Sequence, residues 1–391
     1  MNFARVLIVA GMVTACPVWA VYAPIPEQEQ GKEWTVTLRG DISHDSNIFG
    51  AATGAISSMV YTAAPKVAFN ASVSDQTFAS ASYELVVDSM PDRPGDSTLD
   101  SHNFEGRLAH AFSQVTSVDL SDAYSIAKNP ESLLAGVPIN TDQSYKRNEF
   151  NGRLTTSTGP KISTTIKMRS VIYRYDATGL AQDIDRTENL YGLAGSYDLV
   201  PEAKGVLEFR REDVNYRTAG ANKDKHTNFL IGGVDYSVAK QVTATGRLGY
   251  QWRHRDLERS SDAPYAEFSA KFDYAQGSYF SAGYVYTFEE TTNVDVYTDT
   301  KVNRLFLNLQ HSLTPLIVAS GSLTYEPSVL QGRRGVANAD ETTTRLGLAL
   351  SYLYSKNWII TAHYDRDHVV SDAPGRGQSR DRVGAGATFS F

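Results

Sequence analysis

From residue 31 onward, apolar and polar residues alternate one for one along segments of roughly ten to fourteen residues, each closed by a tight turn or a longer polar loop. Period-two alternation places every second side chain on the same face of an extended strand. In TATGRLGYQW (243–252), Ala244, Gly246, Leu248, Tyr250 and Trp252 share one face, opposite Thr245, Arg247, Gly249 and Gln251. SYFSAGYVYTF (278–288) sets Phe280, Ala282, Tyr284, Tyr286 and Phe288 against Tyr279, Ser281, Gly283, Val285 and Thr287. TRLGLALSYLY (344–354) sets Leu346, Leu348, Leu350, Tyr352 and Tyr354 against Arg345, Gly347, Ala349 and Ser351. A helix would scatter these residues around its circumference.

The tight turns fall at 71–75, 113–116, 158–160, 200–203, 239–241, 275–278, 314–315 and 355–357. They recur about every 40 residues, the length of two strands and a loop. Between them lie connections rich in Asp, Gly, Pro and Asn at 45–55, 90–101, 128–144, 177–186, 217–225, 258–263, 292–300, 330–340 and 371–379. This alternation gives about eighteen strands.

The apolar faces carry aliphatic residues in mid-strand and aromatic ones towards the ends, the distribution of a lipid-facing band between two aromatic girdles. A soluble sandwich, β-helix or propeller also alternates, but its strands usually run about five or six residues. No window after the N-terminal region approaches the roughly 18 apolar residues of a membrane-crossing helix. Because lipid offers the backbone no hydrogen-bond partner, a sheet in a membrane must close on itself. The predicted fold is therefore all-β: a transmembrane antiparallel up-and-down β-barrel with short periplasmic turns and longer extracellular loops. The 22 Tyr, 16 Phe and 29 Gly suit such pleated surfaces and turns.

Three regions are expected. Residues 1–20 read as a signal peptide, with Arg5 as the positive n-region, VLIVAGMVTA (6–15) as the apolar stretch and VWA (18–20) as the cleavage site. Residues 21–32 form a short periplasmic segment, and 33–391 the barrel. Cleavage after Ala20 removes Cys16, the single cysteine, and with it disulfide and thiolate chemistry. VTAC (13–16) also looks like a lipoprotein processing site, which would leave Cys16 lipidated. The formal charge of −7, with Lys and Arg scattered, argues against nucleic acid as a partner.

The inward faces are rich in charge of both signs, which fits a wet lumen. Lys167, Arg169, Glu208, Arg210, Arg247, Arg253, Arg255, Arg304 and Arg345 are the candidate pore-lining residues, either bracing the wall by pairing across strands or touching a hydrophilic cargo. Tyr173, Tyr265 and Tyr279 point inward on the same parity and could stack on sugar rings. In the longest loop, Asn129 reads as an N-cap, Pro130 as the first helical residue and Gly136 as a stop, with Leu133 and Leu134 exposed on one turn. These residues are expected to form a constriction in the mouth, or else to rest against the rim.

Nothing points to an enzyme. G-x-S-x-G, H-E-x-x-H and phosphate-loop motifs are absent. HYDRDH (363–368) sets His363, Asp365 and Asp367 on one face, a weak pattern for a metal, and no catalytic residue, metal ligand or cofactor is assigned.

LRGDISHDSNIFG (38–50), with Asp45, Ser46 and Asn47 closing the first strand, resembles the β-barrel porins of exopolysaccharide and capsule loci, though His44 stands where a tyrosine is more usual there. The final strand, with Phe389 and Phe391, is similar to the C-terminal signal of bacterial outer-membrane barrels. The resemblances imply a Gram-negative outer-membrane location among its lipids, recognition by the barrel assembly machinery, and export of a polysaccharide cargo together with a periplasmic polysaccharide export protein. A general or substrate-selective diffusion porin is the second reading, and a structural barrel with a blocked lumen the third.

Overall fold

The computed structural model describes residues 33–127, 144–218, 223–238, 241–255, 258, 260–291, 296–333 and 335–391. Its first strands are β1 (Trp34–Asp45), β2 (Ser58–Ser74), β3 (Thr77–Ser89), β4 (Thr98–Ala111), β5 (Thr116–Ala127), β6 (Tyr145–Ser157) and β7 (Ile162–Tyr175). After a seven-residue helix α1 (Thr178–Ile184) follow β8 (Arg186–Val200), β9 (Ala203–Tyr216), β10 (Lys225–Val238), β11 (Val242–Arg255) and β12 (Ser261–Ala275). The remainder are β13 (Ser278–Glu289), β14 (Tyr297–Thr314), β15 (Ile317–Gly332), β16 (Ala339–Leu353), β17 (Trp358–Ser371) and β18 (Gln378–Ser390).

Each strand pairs antiparallel with the next, and β18 pairs with β1, so the eighteen-stranded sheet has no free edge. The seam runs in register from Leu38 opposite Phe389 to Asp45 opposite Arg382. Beyond it, the Val36 and Phe391 backbones exchange two hydrogen bonds, at 3.0 and 3.1 Å. Closure satisfies the edge groups that would otherwise stand unbonded in hydrocarbon.

The alternation read from the sequence holds around the wall. Leu248, Tyr250 and Trp252 are exposed outward, while Gln251 and Arg253 on the same strand are almost fully buried inside. Leu348, Leu350 and Tyr352 likewise face out. Trp358, Phe389 and Phe391 form a contiguous aromatic group at the short-turn end, with ring centroids 5.0 and 5.6 Å apart. Gly277 occupies the second place of a two-residue turn with φ +71°, a conformation that favours glycine and matches the twist of a hairpin.

Two expectations change. Phe288 belongs by parity to the lipid face, yet it is buried, with the Arg253 guanidinium 5.5 Å from its ring centre. The cause is local: pairing of β12 with β13 stops at Ala266 opposite Tyr286, and the end of β13 bends inward, where the Gln251 side chain meets the Phe288 backbone N–H at 3.4 Å. Parity predicts a face only while the strand stays in the wall. The second change is α1, in a connection read as irregular. It has no side-chain cap, and a helix this short depends on packing. Ile184, Leu180 and Ala181 lie against Val171, Tyr173 and Tyr175 of β7 and Val214 and Tyr216 of β9, all on the inner wall. The constriction candidates Asn129, Pro130, Leu133, Leu134 and Gly136, and everything before residue 33, lie outside the described residues.

Candidate functional site

At the long-loop end the lumen is crossed by a network of ion pairs. Lys167 of β7 donates to Glu208 of β9 at 3.1 Å, and Arg210 donates to the same carboxylate at 2.8 Å. Arg210 also reaches Tyr265 of β12 at 3.2 Å, whose hydroxyl donates to Glu267 at 2.7 Å. Arg169 lies 4.0 Å from Glu212, and Arg253 of β11 donates to Glu212 at 3.2 Å and to Thr227 of β10 at 2.8 Å. The pore-lining candidates Lys167, Glu208 and Arg210 thus form one group, and Arg169 and Arg253 belong to a second, which Arg255 joins through Asp299.

The groups that complete the network were not among those candidates. Asp299 near the start of β14 accepts from Arg253 at 2.7 Å and from Lys225 of β10 at 3.1 Å, and it contacts Arg255 as well. Glu290, just past the end of β13, lies 2.8 Å from Lys225, 3.5 Å from Arg253, and accepts from the Tyr216 hydroxyl of β9 at 2.7 Å. Because β9 and β14 are five strands apart around the wall, these contacts are chords through the interior rather than pairs along it. Lys225 and Asp299 fall in segments that read as external loops, and Glu290 borders one; both carboxylates lie at the ends of β13 and β14, which stay paired to Glu289 opposite Thr300 after β12 has parted from β13.

Burial penalises the charge on Glu290, but Lys225, Arg253 and Arg186 outweigh it and hold the carboxyl down at about 2. A lowered folded-state value means that Glu290 contributes stability above the usual carboxylate range, and that this contribution disappears as pH falls from 4.5 towards about 2. The barrel is therefore expected to lose resistance to heat in that window. Glu290→Gln should flatten the loss, as read from the unfolding temperature on gels run without boiling.

The other candidates stand apart from this cluster. Arg304 is clamped between Glu289, at 3.0 Å, and Glu326. Arg247 pairs with the half-exposed Asp235, and Arg345 sits opposite Asp367 in the register of β16 and β17. The inward tyrosines are already engaged: Tyr173 lies between Arg147 and Arg186, with the Arg186 guanidinium 4.4 Å from its ring centre, and Tyr279 faces the Lys271 ammonium at 4.9 Å.

The short-turn end has a different lining. Uncharged side-chain pairs recur on the inner wall there, beside the ion pairs Arg107–Asp119 and Arg247–Asp235: Thr37 with Ser390 at 3.3 Å, Thr155 with Thr165 at 3.3 Å, Ser163 with Ser196 at 2.6 Å, Thr245 with Ser269 at 2.7 Å, Ser281 with Asn308 at 3.4 Å and Ser351 with Thr361 at 3.0 Å. The inward parity of Ser and Thr near the tight turns is the sequence signal for these uncharged pairs.

Asp45, Ser46 and Asn47 stand at the top of the β1–β18 seam. Arg380 of β18 donates through Nε to both Asp45 oxygens at 2.9 and 3.1 Å. The Asp381 N–H donates to Ser46 Oγ at 2.8 Å, and the Ser46 N–H returns a bond to the Asp381 carbonyl at 2.9 Å. The Asn47 amide bonds Ala51 with both ends, at 2.8 and 2.9 Å, and reaches the Ser379 carbonyl at 3.1 Å. These side chains tie the first strand to the last. In HYDRDH, His363 lies 2.7 Å from Asp41 and 3.4 Å from Asp365, while Asp367 pairs with Arg382 at 3.0 Å. Among the described residues no group of three His, Cys, Asp or Glu is arranged to hold a metal ion.

A closed barrel with an apolar exterior between aromatic girdles and a charged interior is an outer-membrane barrel of the porin class. The chain belongs to the family described as Putative beta-barrel porin 2, whose profile matches residues 34–391. This is a transport-channel fold, not an enzyme family. The barrel is similar in fold to OpdK from Pseudomonas aeruginosa solved with vanillate, at 9% identity and a TM-score of 0.51 over 92% of this chain and 99% of that one. It is similar also to OccAB4 of Acinetobacter baumannii, at 12% identity and TM-score 0.49 over 93% and 99%. A third likeness is to the ferric enterobactin receptor PfeA of Pseudomonas aeruginosa, at 8% identity and TM-score 0.47 over 92% and 81%. No curated protein matches the sequence.

Proposed function

We propose that this barrel is the outer-membrane conduit through which a Gram-negative cell exports a secreted polysaccharide, handed on by a periplasmic polysaccharide export protein. The observation that carries the reading is the polar lumen: hydroxyl pairs recur along the wall towards the short-turn end, beside ion pairs such as Arg107–Asp119, and lead to a zone of arginines, carboxylates and tyrosines at the other. A carbohydrate chain presents hydroxyls and ring oxygens along its whole length, and such a wall lets it exchange one hydrogen bond for another as it advances. The first-strand segment around Asp45, Ser46 and Asn47 adds the resemblance to porins of exopolysaccharide and capsule loci. On this reading residues 1–20 are removed during secretion, residues 21–32 lie in the periplasm, and Phe389 and Phe391 address the chain to the barrel assembly machinery.

A second reading, a substrate-selective channel for small hydrophilic solutes, draws on the contacts from β10 and β11 to Glu290 and Asp299, which cross the interior at the long-loop end. A clean deletion, assayed in one strain for secreted polysaccharide and for small-solute uptake, separates the two. Export requires polymer to fall with uptake unchanged. Normal polymer with reduced uptake would overturn it in favour of the solute channel.

A further inference from the structure

The fixed wall of the upper lumen presents donors to a carboxylate, and the carboxylate that meets them comes from a connection. Lys225 on β10, Arg253 on β11 and Tyr216 on β9 hold positions on neighbouring paired strands. All three are at least nine-tenths buried. They converge on Glu290, Lys225 and Tyr216 on Oε2 at 2.8 and 2.7 Å and Arg253 on Oε1 at 3.5 Å. Without Glu290, the three cations Lys225, Arg253 and Arg255 would be left with two carboxylates, Asp299, which contacts all three, and Glu212, which meets Arg253. Like charges this close in a partly dehydrated lumen repel strongly, so the wall favours an anion at the Glu290 position.

We propose that Lys225, Arg253 and Tyr216 form a carboxylate-binding subsite, filled by Glu290 in the resting barrel, and that carboxylates of a uronate-bearing cargo compete for it. The transported class is then an anionic polysaccharide. This rests on the reading that a carbohydrate chain passes through the lumen. The ion pairs and the phenol donor recognise the carboxylate, while the hydroxyl pairs towards the far end meet the neutral parts of the same sugar. Two cationic groups and a hydroxyl around one anion make charge-assisted hydrogen bonds, the strong kind.

The test is current block in planar bilayers by tetragalacturonate, with maltotetraose as the neutral probe, using the purified full-length barrel. Glu290→Gln keeps the shape of the side chain and removes its charge. It is expected to lower the concentration of tetragalacturonate needed for half-block by about tenfold and to leave maltotetraose where it was. Lys225→Gln, made separately in the otherwise unchanged barrel, is expected to weaken block by tetragalacturonate alone. Equal effects on both probes in either variant, or no effect of Glu290→Gln in a barrel that still migrates as folded, overturn the subsite. Normal polymer secretion in the deletion strain together with selective uronate block would instead sink the export reading and leave the subsite standing.

Discussion

Asp45→Leu is expected to destabilise the barrel by about 3 to 5 kcal/mol, because it leaves the Arg380 guanidinium buried without its carboxylate. Both partners are nearly inaccessible, with side chains 2% and 6% exposed. The loss falls on the seam where the first and last strands meet, the contact that must form before the sheet has no edge. It should appear as a lower urea midpoint and a smaller folded fraction on unheated gels. The double variant Asp45→Leu/Arg380→Met removes the orphaned charge and should recover much of the loss, since a buried ion pair replaced whole by apolar groups is often near neutral. A double variant no better than the single one would show that the pair does not lock the seam. The same contacts explain why Asp45, Ser46 and Asn47 are poor candidates for touching a cargo: Asn47 is 1% exposed and its amide is committed at both ends.

How much of this was legible in the sequence follows from what each part of the chain faces. The outer wall meets lipid, which imposes one rule on every second residue of every strand. Leu248, Leu348 and Phe389 could therefore be placed by counting, as could the tight turns and the closing pair of strands. The inside obeys no such rule. Arg253 could be assigned to the lumen from its parity, but its partners come from β9, β14 and the end of β13, and nothing periodic links them. Glu290 borders, and Asp299 lies in, a segment that reads as solvent-exposed, and no sequence signal marks the early end of the β12–β13 pairing, at Ala266 opposite Tyr286. Phe288 was misplaced for the same reason. The first-strand motif was visible as residues, yet its work in the seam depends on Ser379, Arg380 and Asp381, more than 330 positions away.

The interior chords give the second large effect, at Arg253. Its side chain is 1% exposed and meets Thr227 through Nε, Glu212 through one terminal nitrogen, and Glu290 and Asp299 through the other. Arg253→Met leaves Asp299, itself fully buried, short of one of its cations, and it leaves Glu212 without its 3.2 Å partner. A cost of about 3 to 5 kcal/mol in folded-state stability is expected. The reversal potential in a salt gradient should shift towards cation selectivity, because the carboxylates then dominate the lumen at the long-loop end. Arg247→Met on the same face of the same strand is the matched control: its ion-pair partner among the described residues, Asp235, is 41% exposed, and such a pair contributes about 1 kcal/mol or less. If the constriction is where the chords cross, Arg253→Met moves both stability and selectivity while Arg247→Met moves neither appreciably. Equal shifts from the two variants would mean that the lumen charges act as a diffuse lining, and that the mouth is narrowed elsewhere.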